Sequence, residues 1–212
     1  MKKQTLIVGL TGQTGAGKSI VSRMLTEREY RVIDCDAVAR DVVKKGKKCL
    51  LDLSIAFGIE ILNADGSLNR RKLGNMVFGD SEKQKQLNRI TFPYIQEEIF
   101  AMIERLKRSG EPVVFLDAPT LIESGTHKSC DKVVSVLAPA DERFLRIVRR
   151  DGLTTEEAER RMSAQHDDGF YTRESDFVIV NDGDMTALVV KVLEMLDAIG
   201  VQTGDGTAGL SR

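Results

Sequence analysis

The chain has 212 residues, of which 42% are hydrophobic and 30% charged, with a formal net charge of -1. That length fills one buried core, alone or with insertions, and argues against two unrelated domains. Balanced charge removes nucleic acid as an expected partner, and the strand-sized apolar runs with an N-terminus, MKKQTLIVGLTG, that lacks a signal-peptide core predict a cytoplasmic protein without a membrane partner.

In chain order, the first predicted element is the run LIVGL at 6–10. Rich in β-branched residues and without alternation, it predicts a strand covered on both faces, as in a parallel sheet. It leads into GQTGAGKS at 12–19, after which Ile20, Val21, Met24 and Leu25 share one helix face. A short strand, RVI, follows at 31–33, and Asp34 and Asp36 lie at its end before the helical AVARDVV. The stretch from about 66 to 110 has charged helical sequence, LNRRKLGNMVF and YIQEEIFAMIERLKRSG, and no strand; it predicts a helical insertion.

Three further strands are expected at VVFL (113–116), VVSVL (133–137) and FVIV (177–180). Between the last two, at about 140–170, ADERFLRIVRRDGLTTEEAERRMSAQ predicts a helix, a break and a second helix capped by Thr154 or Thr155. Such a hairpin can fold over a site as a lid. Leu188, Val189, Val192, Leu193 and Leu196 mark the face of a final helix, and the Gly-rich residues 201–212 are expected to form a flexible tail. Alternation of strands and helices gives an α/β fold: a P-loop NTPase-type parallel sheet flanked by helices, in one domain over 1–200. Cys35, Cys49 and Cys130 lack metal or disulfide spacing and read as reduced packing residues, and the isolated His127 and His166 as structural ones.

Chemistry concentrates at 12–19, where Gly12, Gly17, Lys18 and Ser19 match G-x-x-x-x-G-K-Ser/Thr. Glycines let successive amides, here from Gln13, Thr14, Gly15 and Ala16 onward to Ile20, curl around phosphate oxygens, and the following helix adds its positive end. Lys18 reaches the β and γ phosphates and the Ser19 hydroxyl ligates Mg²⁺, so a nucleoside triphosphate with Mg²⁺ is the expected ligand pair. A GTPase switch would carry N-K-x-D where this chain has NDGD at 181–184, and a motor ATPase is usually larger, which leaves a small-molecule kinase.

A kinase needs a carboxylate for the acceptor hydroxyl. Asp34 and Asp36 face the same side if the strand continues through them; the alternative is that they cap the next helix. Asp117 closes VVFLD, a Walker B pattern that holds Mg²⁺ directly or through water. Among Arg143, Arg146, Arg149, Arg150, Arg160 and Arg161, one or two are expected to clamp the transferring group, and spacing does not choose between them.

Taken in order, GLTGQTGAGKS, VIDCDAVARDVV, FGIEILNADGSLNRRKLGNMVF, LNRITFPYI, LDAPTLIESG, RIVRRDGLTTEEAERRMSAQ and SDFVIVNDGD resemble the dephospho-CoA kinase family over about residues 5–195. Members use ATP to phosphorylate the ribose 3′-hydroxyl of dephospho-CoA. The resemblance implies Asp36 as the carboxylate engaging that hydroxyl, Arg146 and Arg150 as lid arginines, and Asn181 in the loop near adenine. It implies a helical substrate-binding insertion and places Asp36, Arg40, Arg70 and Phe92 at the acceptor. Four positions depart from the family's pattern: Gln13 for glycine, Ile20 for threonine, Thr120 within the usual Pro-Leu-Leu, and Phe92 for a histidine before proline. A nucleoside or nucleotide kinase of similar architecture and a non-enzymatic nucleotide-dependent switch remain as alternatives, and either a monomer or a small homo-oligomer is compatible.

Overall fold

The apolar runs become strands β1 (Leu6–Gly12), β2 (Arg31–Asp34), β3 (Val113–Asp117), β4 (Lys132–Leu137) and β5 (Phe177–Val180) of a parallel sheet in the order β2-β3-β1-β4-β5. The computed structural model describes residues 4–201; the stretch 202–212, expected as tail, lies outside them. Leu10 pairs with Asp117 and Gly12 with Val136, so the β1 end that enters the glycine loop is held between β3 and β4. All five residues of β3 are buried, which is why its sequence shows no alternation.

The chain divides into two compact units, one formed by residues up to Val32 and from Gly110 onward, the other by Ile33–Ser109. In the first unit the sheet is flanked by helices α1 (Lys18–Glu27) and, later in the chain, by the last helix of the described residues, Met185–Ala198. Val21 and Leu25 of α1 and Leu188, Val192 and Leu196 of that last helix are buried with Val8, Leu10, Phe115, Val134 and Val136. Each such side chain contributes roughly 1.5–3 kcal/mol on burial. Val201, where the tail was expected to begin, is instead part of this core, and its N–H donates to the Leu196 carbonyl at 2.9 Å.

The second unit is helical: α2 (Cys35–Asp41), α3 (Lys48–Phe57), α4 (Arg70–Val77) and α5 (Ser81–Arg108), with α5 packed on the other three. Leu50, Leu53, Phe57, Ile61, Leu73, Ile99 and Ile103 are buried here. The expected insertion at 66–110 falls within this unit, which also takes in α2 and α3. Helix α5 is longer than its pattern predicts because it runs through Pro93. Proline there removes one N–H from the ladder, and the Asp80 carboxylate, accepting from the N–H groups of Glu82 and Lys83 at 3.1 and 3.0 Å, anchors the N-terminus. At the middle of the helix, the Tyr94 hydroxyl donates to Asp52 of α3, a bond that pushes the tyrosine pKa up to about 12.

Back in the first unit, α6 (Ala140–Asp151) ends at Gly152, and α7 (Thr155–Ser163) begins with a capping box that selects Thr154 over Thr155. Thr154 Oγ1 accepts from Glu157 N at 3.3 Å while the Glu157 carboxylate accepts from Thr154 N at 2.9 Å. A short helix α8 (Asp168–Arg173) follows, and α9 is the Met185–Ala198 helix already described. Cys49 and Cys130 are free thiols whose pKa values burial pushes up to about 11 and about 12, with Asp52 and Asp131 adding to the effect. His127 lies 3.6 Å from Glu174, and His166 stacks on Phe170 at 3.8 Å.

Candidate active site

Between Gly12 and α1 the backbone takes a course only glycine follows easily. Gly15 and Gly17 sit at φ 78° and 101°, and a Cβ on them would lie 2.7 Å from the Arg143 carbonyl oxygen and 2.4 Å from Asn181 Nδ2. Ala16 N–H turns back to the Gln13 carbonyl at 3.1 Å, whereas the N–H groups of Gly15, Gly17, Lys18 and Ser19 donate to nothing among the described residues. Four free donors at the head of a helix form an anion nest. Lys18 Nζ forms an ion pair with Asp117 at the end of β3, and the two side chains are only 17% and 11% exposed.

The outer side of the loop is fastened by the α6–α8 region. Arg143, 5% exposed, donates from Nε to the Thr14 carbonyl at 3.1 Å and from Nη2 to Gln165 Oε1 at 3.4 Å. Burial pushes its pKa down, opposed by Asp168 and Tyr171. Arg146 donates to the carbonyls of Gly15 at 3.3 Å and Asn181 at 3.4 Å and pairs with Glu142. Asn181 is itself buried, and its Nδ2 donates to the Ala16 carbonyl at 2.8 Å. Arg150 lies further out, where Asp151 accepts from its Nε and Nη2 at 2.7 and 2.8 Å and also from Arg161 at 2.6 Å. Those hydrogen bonds, first of all the one from Arg150, hold the Asp151 carboxyl below its usual range.

In the helical unit, β2 stops at Asp34, whose Oδ1 accepts from Ala37 N at 2.8 Å and whose Oδ2 lies 3.5 Å from Arg40 Nη2. Of the two alternatives left open by the spacing, capping holds for Asp34: its cap ends the strand, and Asp36 belongs to the first turn of α2. Asp36 is exposed and makes no hydrogen bond or ion pair among the described residues. Arg70 Nη2 donates to the Arg40 carbonyl at 3.3 Å, which ties the start of α4 to the end of α2. Phe92 is 42% exposed on α5, immediately before Pro93.

A sequence profile of the dephospho-CoA kinase family matches residues 6–187. The chain belongs to the dephospho-CoA kinase family. It is 39% identical to a dephospho-CoA kinase of Listeria monocytogenes over 189 residues, covering 89% of this chain and 94% of that protein. The corresponding protein of Geobacillus kaustophilus is 39% identical over 198 residues, 92% and 98% of the two chains. Among solved structures, TT1252 from Thermus thermophilus superposes with a TM-score of 0.83 at 30% identity, covering 94% of this chain and 100% of that one. The protein is thus an ATP-using kinase with a P-loop fold.

Gln13, one of the four positions expected to depart from the family's pattern, is 4% exposed and donates from Nε2 to the His166 carbonyl at 3.1 Å. Ile20 is half-buried in the first turn of α1, and Ser19 beside it is exposed. Two residues were not singled out from the sequence as supports of the loop. Arg143 carries a detectable signal, since it precedes the buried Ile147 by one helical turn and so lies on the inner face of α6. Gln165 has no sequence signal at all.

Proposed function

We propose that this protein transfers the γ-phosphoryl group of ATP to the ribose 3′-hydroxyl of dephospho-CoA, giving coenzyme A and ADP. Family membership supports the acceptor. The observation that carries the donor side is the nest of four unengaged N–H groups at the head of α1, with Lys18 beside Asp117. On nucleotide binding, Lys18 exchanges Asp117 for the β and γ phosphates, and the amides neutralise the remaining charge. Gly12, Gln13, Thr14, Gly15, Ala16, Gly17 and Ile20 shape that cradle, and Asn181, bonded to its back, places the 181–184 loop for adenine.

The residues present fit Mg²⁺, a hard cation that takes oxygen ligands. Ser19 offers a hydroxyl that makes no side-chain hydrogen bond among the described residues, and Asp117 a carboxylate with one oxygen beyond its Lys18 pair. When bound, the ion supplies charge neutralisation on the phosphate oxygens. Asp36 orients the acceptor hydroxyl and takes its proton, a role supported by its lack of any competing partner. Arg40 and Arg70 bind the acceptor's anionic part, and Phe92 offers it an apolar contact. Arg146 fixes the loop from behind, whereas Arg150 turns its planar fork from Asp151 to the transferring group as α6 and α7 close as a lid. A cytoplasmic monomer or small homo-oligomer without nucleic-acid or membrane partners completes the proposal; no described helix is long and apolar enough to cross a membrane.

A coupled ADP-release assay with MgATP and dephospho-CoA tests this reading, with the product's phosphate position assigned by NMR. ADP release that depends on dephospho-CoA and a 3′-phosphorylated product are expected. Equal or faster turnover with nucleoside monophosphates or shikimate in the acceptor panel would refute it.

A further inference from the structure

We propose that Gln165 is a positioning residue that sets the Thr14 peptide, and through it the orientation of the phosphate-binding amides. The inference deepens the reading of residues 12–19 as an ATP-binding loop and rests on it.

The Thr14 peptide groups are gripped on both sides from a distant part of the chain. Gln165 Oε1 accepts from Thr14 N at 2.8 Å, and Arg143 Nε donates to the Thr14 carbonyl at 3.1 Å. The same Gln165 oxygen also accepts from Arg143 Nη2 at 3.4 Å, so one acceptor closes a small network. Next to it, Gln13 Nε2 donates to the His166 carbonyl, while Gln13 Oε1 is buried without a partner. The connection between α7 and α8 thus seats two consecutive loop residues, 13 and 14, through two consecutive residues of its own, 165 and 166.

Thr14 N–H is withdrawn from the nest by this arrangement, and the next peptide, which carries the Gly15 N–H, is held through the Thr14 carbonyl by Arg143 Nε of the same network. Gly15 follows at φ 78°, with no Cβ to restrict it. Removing the acceptor leaves Thr14 N–H and the buried Arg143 fork each short of a partner, and the loop then samples other peptide orientations. Bound nucleotide must restore the order. Because the phosphates are held in both ground and transition states, the loss falls on nucleotide affinity far more than on turnover.

The test compares wild type with Gln165→Met, which keeps side-chain length without the acceptor oxygen, and Gln165→Glu, which keeps an acceptor whose charge Arg143 offsets. MgADP affinity by calorimetry is expected to weaken about tenfold in Gln165→Met, a change of the size one such hydrogen bond carries. KM for ATP rises in parallel, kcat falls less than about threefold, and KM for dephospho-CoA stays the same. Gln165→Glu stays within about threefold of wild-type affinity. MgADP affinity of Gln165→Met within twofold of wild type, equal weakening in both variants, or a fall in kcat matching a large loss of melting temperature would each overturn the assignment. Failure of wild type to bind MgADP would instead refute the loop reading itself.

Discussion

Asp36 and Asp34 are two positions apart and carry the same group, yet their surroundings differ. Asp34 spends one oxygen on Ala37 N–H and places the other near Arg40, whereas Asp36 has nothing to hold it. Asp36→Asn is therefore expected to leave MgADP affinity within about threefold while lowering kcat by about 100- to 10,000-fold, the range of general-base contributions. Calorimetry and single-turnover kinetics separate the two effects; wild-type kcat in the variant removes Asp36 from the reaction. Lys18, Ser19 and Asp117 were legible in the sequence because a phosphate loop and a strand-ending acid are local patterns. The support given by Arg143 and Gln165 was not, since it reaches Thr14 from the opposite end of the chain. Whether Asp34 continued the strand or capped the helix turned on a single N–H, and spacing does not report that.

At the scale of elements, the passage from β1 into the loop depends on Gly12, which sits at φ 150° with a notional Cβ 2.2 Å from the Val136 carbonyl oxygen. Gly12→Ala must move β4 or abandon this backbone path, and a loss of more than about 3 kcal/mol in a urea melt is expected. A loss below 1 kcal/mol would show that the strand pair yields easily. Strands β4 and β5 are also joined through Asp176, which accepts from Val133 N and Lys132 Nζ, both at 2.8 Å. Burial pushes the Asp176 pKa up, but the Lys132 and Val133 bonds outweigh it and leave the carboxyl below its usual range. Its stabilisation is thus complete above the unfolded value of about 3.9 and fades as pH falls through the lower folded value. Asp176→Asn is expected to be less stable than wild type at pH 7, with the gap narrowing as pH falls below the unfolded value of about 3.9; a gap that does not narrow in acid contradicts it. Strand positions were readable from apolar runs, and helix α5 extends N-terminal to the quoted YIQEEIFAMIERLKRSG stretch, running through Pro93.

For the whole molecule, nucleotide binding and folding are linked through the unit that contains residues 12–19. Ligand at 100 times its Kd stabilises the state that binds it by about 2.7 kcal/mol. MgADP should accordingly raise the melting temperature of wild type, and much less that of Lys18→Met, in a thermal-shift titration; equal shifts would place the nucleotide elsewhere. The α/β class was legible because alternating runs imply it. The reach of the helical unit back to Ile33 was not, although Leu50, Leu53 and Phe57 of α3 already lie at helical spacing.

Parallel pairing also has a consequence for how this chain is made. Leu6 finds its neighbour at Val113 and Val8 finds its other neighbour at Lys132. At a synthesis rate of about 5–20 residues per second, the first strand waits roughly 5–21 s for its first neighbour and roughly 6–25 s for its second. During that interval its greasy residues are open to stray association, and the moment of greatest hazard for the nascent polypeptide falls before any phosphate-binding surface exists.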